Sequence, residues 1–199
     1  MEDISYFFNI LEKSDISLLG YSFKDERVKD EIISKIPHVE IKEIDSSFSF
    51  RSFLRNEKLN HLFEEGNFTN SNLKWFVLDI NNITGKLLID KVKLIRKVLN
   101  NIREDMYSGT YPENPFYKLL ITCPLNTKIS SSGDFDINSF SGGNTTLYIS
   151  DFVCTINRGI GYSNNNLHVL KNRHADDGKK ISLGNLKDYT YICNYENCQ

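Results

Sequence analysis

Several stretches carry residue types that could do chemistry. The apolar run Trp75 to Leu78 ends in Asp79, a pattern common in α/β proteins that delivers one carboxylate to the rim of a sheet. Lys171 and Arg173 lie two positions apart in a stretch of strand character, so they share one side and would offer positive charge to an anion. Gly20 ends an apolar run and is followed by Lys24, Asp25, Glu26 and Arg27 just before a helical pattern. The start of a helix suits a phosphate group, but two acids there would repel one. Asp45 lies within Glu43 to Ser47, where such an acid more often caps a helix or loop.

The elements that must position these residues follow from hydrophobic spacing. Ile4, Phe7, Phe8 and Leu11 recur like one face of a helix over Asp3 to Lys13, an N-terminal segment (residues 1–15) able to cap the core. Ile16 to Leu19 reads as a strand, and Val28, Ile32, Ile33 and Ile36 as a helix that Pro37 stops. His38 to Ile44 alternates like a strand, and Phe50 to Phe63 has helical spacing. Trp75 to Ile80 is nearly uniformly apolar, as suits a central parallel strand covered on both faces.

Leu88, Val92, Ile95, Leu99, Ile102 and Met106 predict a helix whose other side holds Lys86, Lys91, Lys93, Arg96, Lys97 and Arg103. Tyr117 to Thr122 predicts a further buried strand. The Ser/Gly/Asn-rich stretch 126–144 is long for a connection and reads as a mobile or functional loop. Leu147 to Ile156, Leu167 to Lys171 and Lys180 to Leu183 complete the strands. Strands alternating with helices, then a β-rich end, predict one α/β domain over residues 1–199 with a mainly parallel sheet and antiparallel C-terminal edge strands.

Composition narrows the function classes. A chain of 199 residues, 40% hydrophobic and 25% charged, has the make-up of a folded soluble protein, and no run approaches the roughly 20 apolar residues of a membrane span. A cytoplasmic location is expected, with no membrane partner. A net charge of −2 argues against coating nucleic acid by bulk electrostatics, so any DNA contact must be local. The cationic helix face, with Lys93, Arg96 and Lys97, and the loop with Lys128, Gly142 and Gly143 are the candidates, although a solvated helix face and a plain linker are open alternatives. Cys123, Cys154, Cys193 and Cys198 have no metal-ligand spacing and read as free thiols.

The order of these pieces resembles the RecA-like ATPase core, most closely replicative helicases of the DnaB type and phage RecA-like recombinases. The resemblance rests on Gly20 after the first strand, Asp45, the strand ending at Asp79, the strand reaching Thr122 (where Pro124 stands in place of the family's polar sensor, with Thr122 and Asn126 the polar residues nearby), the Gly142 and Gly143 loop, and the run Leu170 to His174 with Gly178. It implies that Gly20 and Lys24 mark a degenerate nucleotide site, since Asp25, Glu26 and Arg27 replace the Gly-Lys-Ser/Thr of the phosphate loop. It further implies that Asp45 and Asp79 are weak catalytic or metal candidates, that the glycine loop faces single-stranded DNA, and that Lys171 and Arg173 reach a neighbouring subunit, where such cations stabilise phosphoryl transfer. Lys171 and Arg173 on a solvated edge are the open alternative.

A non-hydrolysing accessory or inhibitory protein of DNA replication or recombination is therefore expected, needing no cofactor and pairing with a RecA-like ATPase, with itself or with single-stranded DNA. An active ATPase with an unorthodox site, using ATP and magnesium through Asp45, Asp79 and Lys24, is the second reading. A phage structural or host-inhibiting protein that uses the fold as a scaffold is the third. Abundant Asn, Lys and Ile fit an AT-rich genome such as that of many phages, which would place the protein in the host cytoplasm.

Overall fold

Seven strands in the order β2-β3-β4-β1-β5-β6-β7 make one mixed sheet. The computed structural model describes residues 2–36, 39–43, 74–79, 117–125, 135–136, 139–140, 150–158 and 165–190. The strands are β1 (Ile16–Tyr21), β2 (Val39–Glu43), β3 (Lys74–Asp79), β4 (Tyr117–Pro124), β5 (Phe152–Arg158), β6 (Asn165–Asn172) and β7 (Lys180–Ser182). From β2 across to β5 all neighbours are parallel, whereas β6 and β7 run antiparallel. Every strand overlaps a stretch where an apolar run or an alternation predicts one, and the runs arise because the central strands are dry on both faces and leave little polar interruption.

Helix α1 (Ile4–Lys13) begins where Asp3 accepts hydrogen bonds from the Ser5 and Tyr6 N–H groups, at 2.9 and 3.4 Å, and ends at Ser14, whose hydroxyl donates to the Ile10 carbonyl at 2.8 Å. Its buried face is Ile4, Phe7, Phe8, Ile10 and Leu11. Phe7 packs on Phe152 of β5 with ring centroids 5.7 Å apart, and Tyr189 stacks on Phe8 at 4.8 Å. Helix α2 (Glu26–Ser34) buries Lys29, Ile32 and Ile33. Both helices share a core with Leu19, Tyr21, Val77, Leu120, Phe152, Cys154 and Ile156.

The opposite face of the sheet is closed near Gly20. A Cβ built there would lie 2.6 Å from Phe140 Cζ and 2.7 Å from Leu125 Cδ2. Phe135 and Phe140, within the stretch expected as a mobile loop, are buried, and Ser139 and Asp136 exchange hydrogen bonds of 3.0 and 3.1 Å. Beyond β7 the sheet is closed by Glu2, whose N–H donates to Lys180 O at 3.0 Å and whose carbonyl accepts from Ser182 N–H at 2.8 Å.

The expected helices at 50–63 and 88–106 lie outside the described residues, as do Asp45, Lys93, Arg96, Lys97, Lys128, Gly142 and Gly143. Among the described residues, no helix is long and apolar enough to cross a membrane.

Candidate functional site

The carboxyl ends of β1, β3 and β4 lie side by side because β4 is inserted between the other two. Leu19 registers with Thr122 and Thr122 with Asp79, while Gly20 registers with Cys123 and Tyr21 with Pro124. Asp79, the last residue of β3, therefore stands beside the turn that joins β1 to α2. The resemblance implies a weak catalytic or metal role for Asp79. Its Oδ2 receives a hydrogen bond from Lys29 Nζ at 3.0 Å.

Lys29 is the residue that sequence reasoning missed. Its side chain is 4% exposed, against 14% for Asp79, and its ammonium also lies 3.1 Å from Asp30 Oδ1 and 5.0 Å from the centre of the Tyr21 ring. Burial works against the charge, but hydrogen bonds and charges from Asp79 and Asp30 outweigh it and hold the Lys29 pKa above that of an ordinary lysine. The signal was present in the spacing: Lys29 precedes Ile32 by three positions and Ile33 by four, so it belongs to the apolar face of α2. A cation on that face needs an acid beneath it.

Around the pair the polar atoms are dry. Burial, followed by the charge of Asp79, pushes the Cys123 thiol up to about 12. Burial, then Asp79 and Glu26, pushes the Tyr21 phenol well above its usual range. Among the described residues, the buried Tyr21 hydroxyl and Thr122 Oγ1 have no hydrogen-bond partner.

The turn into α2 is short. Ser22 leads into a single 3₁₀ turn, Phe23–Asp25, and α2 starts at Glu26. Asp25 is buried at 2% exposure; its N–H donates to Ser22 O at 2.8 Å and its Oδ2 accepts from Ser22 Oγ at 2.5 Å. One of the two acids expected to face an incoming phosphate is thus turned into the protein, while Glu26, Lys24 and Arg27 are exposed. Gly20 lies inside β1, where its missing Cβ admits Phe140 and Leu125.

Lys171 and Arg173 sit at the opposite end of the parallel strands, because β6 returns antiparallel and pairs Lys171 with Val153 and Asn172 with Phe152 at the start of β5. Lys171 Nζ donates to Ser150 O at 2.6 Å, and burial followed by the charge of Arg173 lowers its pKa. Arg173 donates to Asp151 Oδ1 at 2.8 Å, while Asp151 Oδ2 accepts from the N–H groups of Asp15 and Ile16, both at 3.1 Å. Lys118 to Asp15, at 2.9 Å, extends the network to β4. These cations bind the amino ends of β1, β4 and β5 to the carboxyl end of β6.

Cys123 and Cys154 are buried free thiols, and among the described residues no three His, Cys, Asp or Glu side chains gather as metal ligands. Compared with models of known families and with curated proteins, the chain matches none.

Proposed function

We propose that this chain is a RecA-like core that has given up nucleotide hydrolysis and acts as an accessory or inhibitory protein in DNA replication or recombination, bound to a RecA-like ATPase, to single-stranded DNA or to both. The fold part of the reading is supported by the adjacency of β1, β3 and β4, which brings the phosphate-loop position, the magnesium-acid position and the sensor position to one rim, and by the antiparallel β6 and β7 that follow. The loss of hydrolysis rests on one observation. The buried ammonium of Lys29 contacts Asp79 directly at 3.0 Å, so cation and acid neutralise each other where a magnesium-bound polyphosphate would have to separate them. The tight Ser22 to Asp25 turn supports it, because a phosphate cradle needs backbone N–H groups aimed outward, and the Asp25 N–H is already bonded to Ser22 O.

The test is binding of a fluorescent ATP analogue with magnesium, run beside fluorescent single-stranded DNA at low and moderate salt. The expected result is DNA binding that weakens with salt and no saturable nucleotide binding. Saturable, magnesium-dependent nucleotide binding overturns the reading and favours an active ATPase with an unorthodox site. Absence of both leaves a RecA-like protein partner, and a pull-down with such an ATPase that is indifferent to alanine at Lys171 and Arg173 removes the hairpin from the interface.

A further inference from the structure

The two ends of the sheet are treated differently. The β7 side is closed by main-chain hydrogen bonds from Glu2, at 3.0 and 2.8 Å. On the other side β2 ends the strand order, and among the described residues its only strand partner is β3. An unpaired strand edge is a template for another strand, and proteins that avoid such pairing blunt it with like charges, proline or a covering segment. In β2, Val39, Glu40, Ile41, Lys42 and Glu43, the charges nearest the middle differ in sign on either side of Ile41, and Ile41 is 54% exposed.

We propose that β2 is a homodimer interface, in which β2 of a second copy adds antiparallel across a twofold axis through Ile41 and continues the sheet. In that register Ile41 meets Ile41, Glu40 meets Lys42 of the second copy, and Lys42 meets Glu40. The sequence is thus complementary to itself at the three central positions, and a register slip of one residue would set Ile41 against a charge. Opposite charges directly across an antiparallel pair stabilise it and like charges oppose it. Edge charges serving only to repel another strand would carry one sign. Ile41 registers with Val77 of β3, on the sheet face that α1 and α2 cover, so the dimer would extend that apolar face from one copy to the next.

The experiment is sedimentation of the full chain over a range of concentrations, for the native protein, for Glu40→Lys, for Lys42→Glu, for the double variant and for an equal mixture of the two single variants, with circular dichroism on each. The native chain should show a concentration-dependent dimer. Each single variant places two like-charge pairs across the axis and should weaken dimerisation about tenfold or more. The double variant and the mixture restore opposite charges and should recover it, a recovery that a folding defect would not produce. Ile41→Cys should form a disulfide-linked dimer under mild oxidation, since residues facing each other across the axis have Cα atoms about 4.5 to 5.5 Å apart. A native chain that stays monomeric, single variants that dimerise like the native chain, or a mixture that does not recover overturns the proposal.

Discussion

Breaking the contact between Lys29 and Asp79 separates a structural ion pair from a nucleotide site awaiting its ligand. Removing one partner of a buried pair costs roughly 3 to 5 kcal/mol, because the other charge is left in a dry site. In Asp79→Asn the ammonium of Lys29 keeps Asp30 at 3.1 Å, whose side chain is 64% exposed, so the expected cost falls to about 2 to 3 kcal/mol. In Lys29→Met the carboxylate of Asp79, 14% exposed, still reaches water, and the expected cost is about 1 to 2 kcal/mol. The double variant removes both charges and should cost no more than Lys29→Met alone, giving a coupling of about 2 to 3 kcal/mol. Urea unfolding of all four proteins at pH 7 measures it directly. Because the folded pKa of Lys29 is raised, its contribution is fully present below the ordinary lysine value of about 10.4 and is lost as pH rises through the folded value. The difference between native protein and Lys29→Met should therefore hold from neutral pH to about 10 and shrink above it. Single-variant costs that add to within about 0.5 kcal/mol, or a difference that vanishes below pH 9, would refute the ion pair as described.

Two other substitutions test the surrounding structure. Gly20→Ala should destabilise by about 1 to 3 kcal/mol in thermal unfolding, since its methyl would meet Phe140 and Leu125 at 2.6 and 2.7 Å, and Phe140→Leu in the same chain should recover part of that loss. Asp151→Ala should cost about 2 to 3 kcal/mol in denaturant, because it frees the Asp15 and Ile16 N–H groups as well as Arg173, whereas Arg173→Ala, at a side chain 51% exposed, should cost less than about 1 kcal/mol.

Strands were legible where their residues are buried on both faces. Leu18, Leu19, Leu120 and Ile121 form continuous apolar runs, and no alternation was needed to find them. Their order across the sheet was not legible, since Ile16 pairs with Leu119 more than a hundred residues away, and nothing local specifies that β4 enters between β1 and β3. The site residues divide the same way. Asp79 could be found because an acid ending an apolar strand is a local pattern. Its partner could not be assigned, because Lys29 lies fifty residues earlier, and a place on the apolar face of α2 does not say which acid the cation meets. Lys171 and Arg173 read as an available cationic pair for the same reason: Ser150 and Asp151 reach them across the β5 and β6 pairing. Gly20 matched a phosphate-loop glycine by position, whereas the neighbours that require it, Leu125 and Phe140, lie over a hundred residues later in the chain.

On the function proposed above, the arrangement at the carboxyl rim also sets how strongly the protein would resist a polyphosphate. A nucleotide site keeps its lysine and its acid apart so that phosphate and magnesium can lie between them. Here Lys29 and Asp79 touch, and on that proposed function a ligand entering between them would first have to undo the coupling expected above, about 2 to 3 kcal/mol or a factor of roughly 30 to 150 in affinity. It must also approach Asp25, whose buried carboxylate is held by Ser22, and Glu26 at the start of α2, where the helix dipole already favours a negative charge that the acid supplies. The cation is met by Asp79 and Asp30 and the turn by Ser22 and Asp25, while Glu26 places a negative charge in the first turn of α2. Under the proposed function, internal satisfaction of that kind would let the folded rim hold its shape without a nucleotide, which is the property an accessory subunit needs if it is to stay constant while an ATPase partner cycles.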